Sequence, residues 1–225
     1  MLIIFDLDDT LIDTSGCITY YKLEDALVAM VGAGLALPDF TEALDLLRNL
    51  DRNAESAAAA LSEFAEIMGA GKNLLDVGIR EVYDSHPLDL PVFPMEGALE
   101  LLGELGQHHQ LALVSVGRPS RQMEKLKKAG IDSRIFSKIA VTEEKNKKPH
   151  YQTIVDELGY SAEDVLVCGD KILVDLMPAR ELGFRTVQIQ WGRGLNFVRH
   201  KGDVDYSISA LKELKNIVNS FISSF

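Results

Sequence analysis

The first place in this chain where chemistry can start is an apolar run that ends in acids. Leu2-Ile3-Ile4-Phe5 leads straight into Asp6-Leu7-Asp8-Asp9-Thr10-Leu11. Residues two apart in extended backbone point the same way, so Asp6 and Asp8 converge on one small volume. Converging carboxylates repel each other unless a cation or a shared proton lies between them. The plain alternative is a surface turn carrying two solvated acids, since short motifs recur by chance. Two more apolar runs end in the same manner: Leu111–Val114 in Ser115, and Val165–Cys168 in Gly169-Asp170, with Asp175 beyond. In open parallel α/β sheets ligands bind outside the carboxyl ends of the strands, so these three endings are expected at one edge. A set of carboxylates and backbone oxygens suits Mg²⁺, a hard ion that keeps some waters and takes further ligands from phosphate. Asp170 is the preferred ligand. Asp175 is equally suited to capping a helix over 175–182, with Pro178 in its first turn.

The elements that must position these residues follow from periodicity. Leu2–Phe5 reads as a strand buried on both faces, and Ile12–Gly16 as a loop. Leu23, Ala26, Leu27, Met30 and Val31 then share one helical face, and helical spacing recurs over 40–50, 54–68 and 74–83. Residues 17–86 are therefore expected as an all-helical domain. From Pro94 onward helix alternates with strand, the pattern of parallel βα units. Helices are expected over 98–105, 119–129 and up to Leu158, with a last one over 210–221. Strands are expected over 111–114, 135–141, 165–168 and 185–190. The fold expected is α/β, a Rossmann-like parallel sheet core of residues 1–16 and 87–225 with an inserted α-helical cap domain of 17–86.

Composition limits the ligands. Lys plus Arg number 23 against 34 Asp plus Glu, a net charge of -11 with a pI near 4.9. That balance disfavours nucleic acid and anionic membrane as partners, and a phosphorylated ligand needs a local cationic site. The two cysteines, Cys17 and Cys168, cannot build a disulfide framework and read as inert core thiols of a reducing compartment. The start has no basic segment and Asp6 interrupts its apolar run early, unlike a signal peptide. The longest uncharged apolar stretch, Ala26–Leu37, has 12 residues, short of a membrane span. A soluble, cytoplasmic protein is expected.

Asp6-Leu7-Asp8-Asp9-Thr10-Leu11, Ser115 after a strand, the Lys-rich link at 145–148, and Gly169-Asp170 with Asp175 together resemble the four motifs of the haloacid dehalogenase-like (HAD) hydrolases. The helical segment between the first two motifs resembles that family's cap of the first type, as in phosphoglycolate phosphatase-like members. The resemblance implies a Mg²⁺-dependent phosphatase that acts on a small phosphorylated metabolite through an aspartyl-phosphate. By position, Asp6 is the nucleophile, in keeping with the ability of a carboxylate to attack phosphorus. Asp8 is the acid and base, and its backbone carbonyl joins Asp6, Asp170 and Asp175 at the metal. Thr10 steadies the loop beside the phosphate, and Asp9 is a solvated or locally bonded acid. Ser115 and the Val116 N–H bind phosphoryl oxygens, although Val116-Gly117 stands where the family often has Asn. Arg118 and Arg121 either add positive charge there or are solvated.

The third motif supplies a lysine that offsets charge between nucleophile and phosphate. Lys145 has the better spacing to Asp170, with Asn146 as N-cap, while Lys148 has the common Lys-Pro pairing; Lys147 ranks last. Specificity is expected among Thr14, Ser15, Tyr20, Tyr21, Lys22 and Arg52. A true dehalogenase lacks an acid at the position of Asp8. A sugar-phosphate mutase keeps the same core, and a phosphonate hydrolase needs a Schiff-base lysine for which Lys22 is a poor candidate. A non-catalytic phospho-ligand binding protein predicts a broken motif, and all four are recognisable here.

Overall fold

The computed structural model describes residues 1–84, 89–195 and 202–222, so the expected boundary between 86 and 87 lies outside the described residues. The chain divides into two compact units, Met1–Asp13 with Val92–Phe225, and Thr14–Pro91. β1 (Leu2–Phe5) has all four side chains fully buried, as an apolar run between two parallel neighbours must.

The second unit begins with a π-helical turn, Ser15–Thr19, which runs into α1 (Tyr20–Gly32). The loop expected through Gly16 is thus helical from Ser15. Cys17, Ile18 and Thr19 are buried, and burying them extends the apolar face of α1 backward. Asp39 caps α2 (Phe40–Asn53) by accepting from Glu42 N, and Ser56 caps α3 (Ala57–Ile67) by accepting from Ala59 N. α4 (Lys72–Asp84) completes the unit. Leu23, Leu27, Met30, Leu44, Leu47, Leu61 and Phe64 form its apolar core. Three of the proposed specificity residues are engaged inside this unit. Lys22 is buried and pairs with Asp25 at 2.8 Å and Glu81 at 3.5 Å. Arg48 stacks on the Tyr20 ring at 3.6 Å, and Arg52 donates to Asn49 Oδ1.

The first unit continues with α5 (Ala98–Leu105), β2 (Gln110–Val116), α6 (Pro119–Lys128), β3 (Phe136–Thr142) and α7 (Lys148–Leu158). β4 (Val165–Gly169) follows, then a π-helical turn over Ile172–Leu176, α8 (Met177–Arg180), β5 (Arg185–Ile189), β6 (Tyr206–Ile208) and α9 (Leu214–Ile222). All six strands are parallel, in the order β3-β2-β1-β4-β5-β6. β1 pairs with β2 through Phe5 and Leu113 and with β4 through Phe5 and Cys168. From β1 the next strands lead outward in both directions. Its carboxyl end is therefore the switch point at which open α/β sheets bind their ligands. Leu2, Ile4, Val114, Val165 and Val167 pack one face of this sheet against Tyr151, Ile154 and Val155 of α7.

Candidate active site

Asp6 follows β1, and its N–H donates to Cys168 O at 2.9 Å, which ties the first acid to the end of β4. Gly169 and Asp170 follow there, and the turn of Ile172–Leu176 folds Asp175 back toward them. A Cβ at position 169 would sit 2.7 Å from Asp175 Cβ, so glycine is what lets these segments close. The carboxylates of Asp6, Asp170 and Asp175 gather with ligand atoms within 4.8 Å of one another.

Lys147 lies in this group with only 1% of its surface exposed. Its Nζ is 2.6 Å from Asp6 Oδ1 and 2.6 Å from Asp175 Oδ1. Despite burial, the two carboxylates hold the ammonium's pKa well above the ordinary lysine value. Asp175 is further fixed by Lys171 N, which donates to Oδ2 at 2.9 Å, and by Tyr151 Oη, which donates to its carbonyl. The Asp175 carboxylate thus accepts from a residue earlier in the chain, Lys171, and the N-cap of α8 is Leu176, so Asp175 does not cap the following helix. Three carboxylates outnumber the buried ammonium. Burial, Asp175 and Asp8 push Asp6 up to about 7 even though Lys147 pulls it down.

Asp170 differs from its neighbours. It is fully buried, and neither carboxylate oxygen has a hydrogen-bond partner. Burial raises its pKa well above the ordinary value; the Lys171 charge opposes the rise, and Asp175, Asp9 and Asp6 add to it. A buried carboxylate without a partner is costly unless a cation meets it. The orphaned oxygens beside an all-oxygen donor set fit a hard divalent ion such as Mg²⁺.

Asp8 faces a different set of groups. Lys125 Nζ is 2.6 Å from Oδ1, and Gln122 Nε2 donates to Oδ2 at 2.7 Å. The same Gln122 nitrogen is 2.6 Å from Ser115 Oγ and 3.3 Å from Val116 O. Ser115 was expected just beyond its strand, but it is buried inside β2, opposite Val141 of β3. When its hydroxyl accepts from the Gln122 amide, its own proton stays available for an acceptor.

Several expectations change. The lysine against Asp6 is Lys147, so both Lys145 and Lys148 are corrected. Lys145 is exposed, and Lys148 Nζ pairs with Glu181 at 2.7 Å. Asn146 does accept from Lys148 N, and Lys147 is then the N-cap residue of α7. Its side chain sits one turn before Tyr151, on the buried side of the helix. Asp9 is not solvated: it is 2% exposed and adopts φ 56°, the left-handed conformation that turns the chain after Asp8. The Thr10 hydroxyl is buried without a hydrogen-bond partner. Arg121 pairs with Glu124 at 3.5 Å. Cys17 and Cys168 are both buried and not joined in a disulfide, and burial pushes the Cys168 thiol pKa upward. Gln122 and Lys125 escaped the sequence reading because a Lys-rich helix resembles a solvated one.

A sequence profile of haloacid dehalogenase-like hydrolases matches residues 3–189. The chain belongs to this family. The glyceraldehyde 3-phosphate phosphatase of Methanocaldococcus jannaschii is 30% identical, over 97% of this chain and 96% of that one. Among solved structures, the magnesium-bound HAD-hydrolase YfnB from Bacillus subtilis aligns with a TM-score of 0.66 at 20% identity, covering 97% of this chain and 98% of that one. A protein from Haemophilus somnus 129pt, predicted to be a phosphoglycolate phosphatase, aligns at 0.68 with 17% identity, covering 96% and 97%. These structures share the HAD fold, the parallel sheet with flanking helices described above. Among the described residues, no helix is long and apolar enough to cross a membrane.

Proposed function

We infer that the chain is a phosphoric monoester hydrolase that acts on a small phosphorylated metabolite, with Asp6 as the nucleophile. The observation that carries this reading is the grouping of Asp6, Asp170 and Asp175 around the buried Lys147 ammonium. Two carboxylate oxygens of Asp170 remain there without a partner. Such a site is built to receive positive charge and, with it, a phosphoryl group. The relative named for glyceraldehyde 3-phosphate supports a short phosphorylated aldehyde as the first substrate to test.

In this reading Asp6 attacks phosphorus, a bond forms between its carboxylate oxygen and phosphorus, and the ester oxygen leaves with a proton from Asp8. Asp8 then takes a proton from the water that attacks the aspartyl-phosphate, and inorganic phosphate departs. Lys147 offsets the charge of Asp6 and the incoming phosphoryl group at once. Ser115 donates a hydrogen bond from its hydroxyl to a phosphoryl oxygen, joined by the Val116 N–H. Asp6 and Asp170, with Asp175 behind them, would hold a Mg²⁺ ion, and that ion supplies Lewis-acid stabilisation of the charge that develops on phosphate. The choice of substrate we assign to the helical unit of residues 14–91.

The test is phosphate release from glyceraldehyde 3-phosphate and a panel of small phosphomonoesters, in Mg²⁺ and in EDTA. Turnover in Mg²⁺ with a phosphorylated Asp6 peptide in acid-quenched samples is expected. Asp6→Asn is expected to lose on the order of 10³-fold or more in kcat, as removal of a nucleophile does elsewhere. Near-normal turnover of Asp6→Asn would sink the mechanism.

A further inference from the structure

The acid side of the site contains two residues of α6 that the four-motif chemistry leaves unused. Gln122 is 1% exposed, a polar side chain at a position where a helix facing a sheet normally buries an apolar one. It is accommodated because residue 117 is glycine. A Cβ there would stand 3.0 Å from Gln122 Cδ, so any larger residue would displace the carboxamide. Lys125 lies one helical turn further on, and residues three apart share a helix face. Both therefore reach the same target. Gln122 Nε2 and Lys125 Nζ hold Asp8 by its two separate oxygens, at 2.7 and 2.6 Å. Two contacts on different oxygens fix the carboxylate's plane as well as its position, which one contact cannot do.

The pair is more than a surface salt bridge. The Lys125 side chain is 11% exposed and that of Asp8 22%, and the two residues are 117 apart in sequence. Gln122 also ties Asp8 to the phosphate-facing side of β2 through Ser115 Oγ at 2.6 Å. One amide thus sets the spacing between a hydroxyl that meets the phosphoryl group and the carboxyl that meets the leaving oxygen. The sequence departs from the family's common Asn at Val116-Gly117, and that is the place where the Gln122 carboxamide enters.

We propose that Gln122 and Lys125 are positioning residues of this site, a two-point clamp that aims the Asp8 carboxyl at the leaving-group oxygen while Gln122 holds it in register with Ser115. The inference rests on the phosphatase reading above. It predicts a dependence on the leaving group. An alkoxide needs the proton that Asp8 delivers, whereas p-nitrophenolate departs as a stable anion and needs it far less. Loss of the clamp must therefore be felt with alkyl phosphates and much less with aryl ones.

The experiment is single-turnover release of the leaving group from glyceraldehyde 3-phosphate, or the best alkyl substrate, and from p-nitrophenyl phosphate. Lys125→Ala is expected to slow the alkyl reaction about 10- to 100-fold, part of the roughly 10²–10⁴-fold a general acid contributes. The aryl reaction should fall at least tenfold less, and the alkyl KM should change less than the rate. Lys125→Arg should recover most of the alkyl rate. Against an Asp8→Asn background, Lys125→Ala should add little, because residues that act through one another are not additive. If Lys125→Ala does not fold, Lys125→Met keeps the stem and carries the same test. Equal losses for both leaving groups, no loss for either, or full additivity with Asp8→Asn would overturn the proposal. An inactive wild-type enzyme would instead remove the phosphatase reading itself.

Discussion

The two sides of this site hold their carboxylates by opposite means. On the β4 side, Asp170 is fully buried with both oxygens unpartnered, and one ammonium serves both Asp6 and Asp175. On the β2 side, the two oxygens of Asp8 each have a donor, from Lys125 and from Gln122. Buried polar groups are normally satisfied, so an unsatisfied one marks a place where something else binds. A satisfied one marks a group held for use. The same residue type therefore does two jobs here, and the partners decide which. The β4 side is short of positive charge and built to receive it; the β2 side is complete and built to aim.

The largest effect that tests this contrast is expected at Lys147. Lys147→Ala leaves Asp6 and Asp175 buried without their shared cation, and removing one partner of a buried pair costs about 3–5 kcal/mol. A loss of that size is expected in urea unfolding, together with loss of turnover. Lys148→Ala removes only an exposed pair with Glu181, worth about 0–1 kcal/mol. If the two variants were equally stable and active, the β4 side would not depend on the ammonium shared by Asp6 and Asp175.

Next in size is the response to Mg²⁺ and pH. Burial raises Asp170 above its ordinary pKa and carries Asp6 from 3.8 to about 7. A carboxyl whose folded pKa is raised binds its proton more tightly in the folded state. Without metal, its favourable contribution is complete below the unfolded pKa near 3.8 and is lost as pH rises through about 7. The metal-free protein should therefore lose stability across that window. The rise in Tm on adding Mg²⁺ should be small near pH 5 and larger near pH 8, because the cation stabilises the ionised group. Asp170→Asn should be more stable than wild type in EDTA at pH 8, and should lose most of the Mg²⁺ response. A Mg²⁺-dependent Tm shift that is the same at both pH values would contradict the charge-deficit account.

Much of this was legible before the structure. Apolar runs ending in Asp6, Ser115 and Asp170 lead to one sheet edge because parallel strands share a direction, and that direction follows from βα alternation. Lys147 was legible too, but through a different signal from spacing or the Lys-Pro pair. Tyr151, Ile154 and Val155 are the buried residues of α7, and stepping back one turn along that face reaches Lys147. The link's three lysines differ in helical phase, not in chemistry. Gln122 and Lys125 were harder to see. Their face of α6 has little apolar content, so periodicity gives no inward direction, and their partner Asp8 is distant in sequence. The left-handed turn at Asp9 was equally hidden, since only the surrounding structure makes a non-glycine residue adopt it.

The smallest effect concerns Thr10, which stands between the two sides in character. Its hydroxyl is buried and unpartnered like the oxygens of Asp170, yet it is neutral. An unmet hydroxyl costs far less than an unmet carboxylate and does not call for an ion. Replacing it with a methyl group of similar size deletes no hydrogen bond seen in the structure. Thr10→Val should accordingly be neutral or more stable by up to about 1 kcal/mol in urea unfolding. Its response to Mg²⁺ should match wild type, because the missing group carried no charge. A loss of more than about 1 kcal/mol would mean that this hydroxyl has a partner in the working protein. In that case an orphaned atom at this sheet edge would mark a ligand contact whether or not it is charged, and the contrast between the two sides would rest on hydrogen bonding rather than on charge.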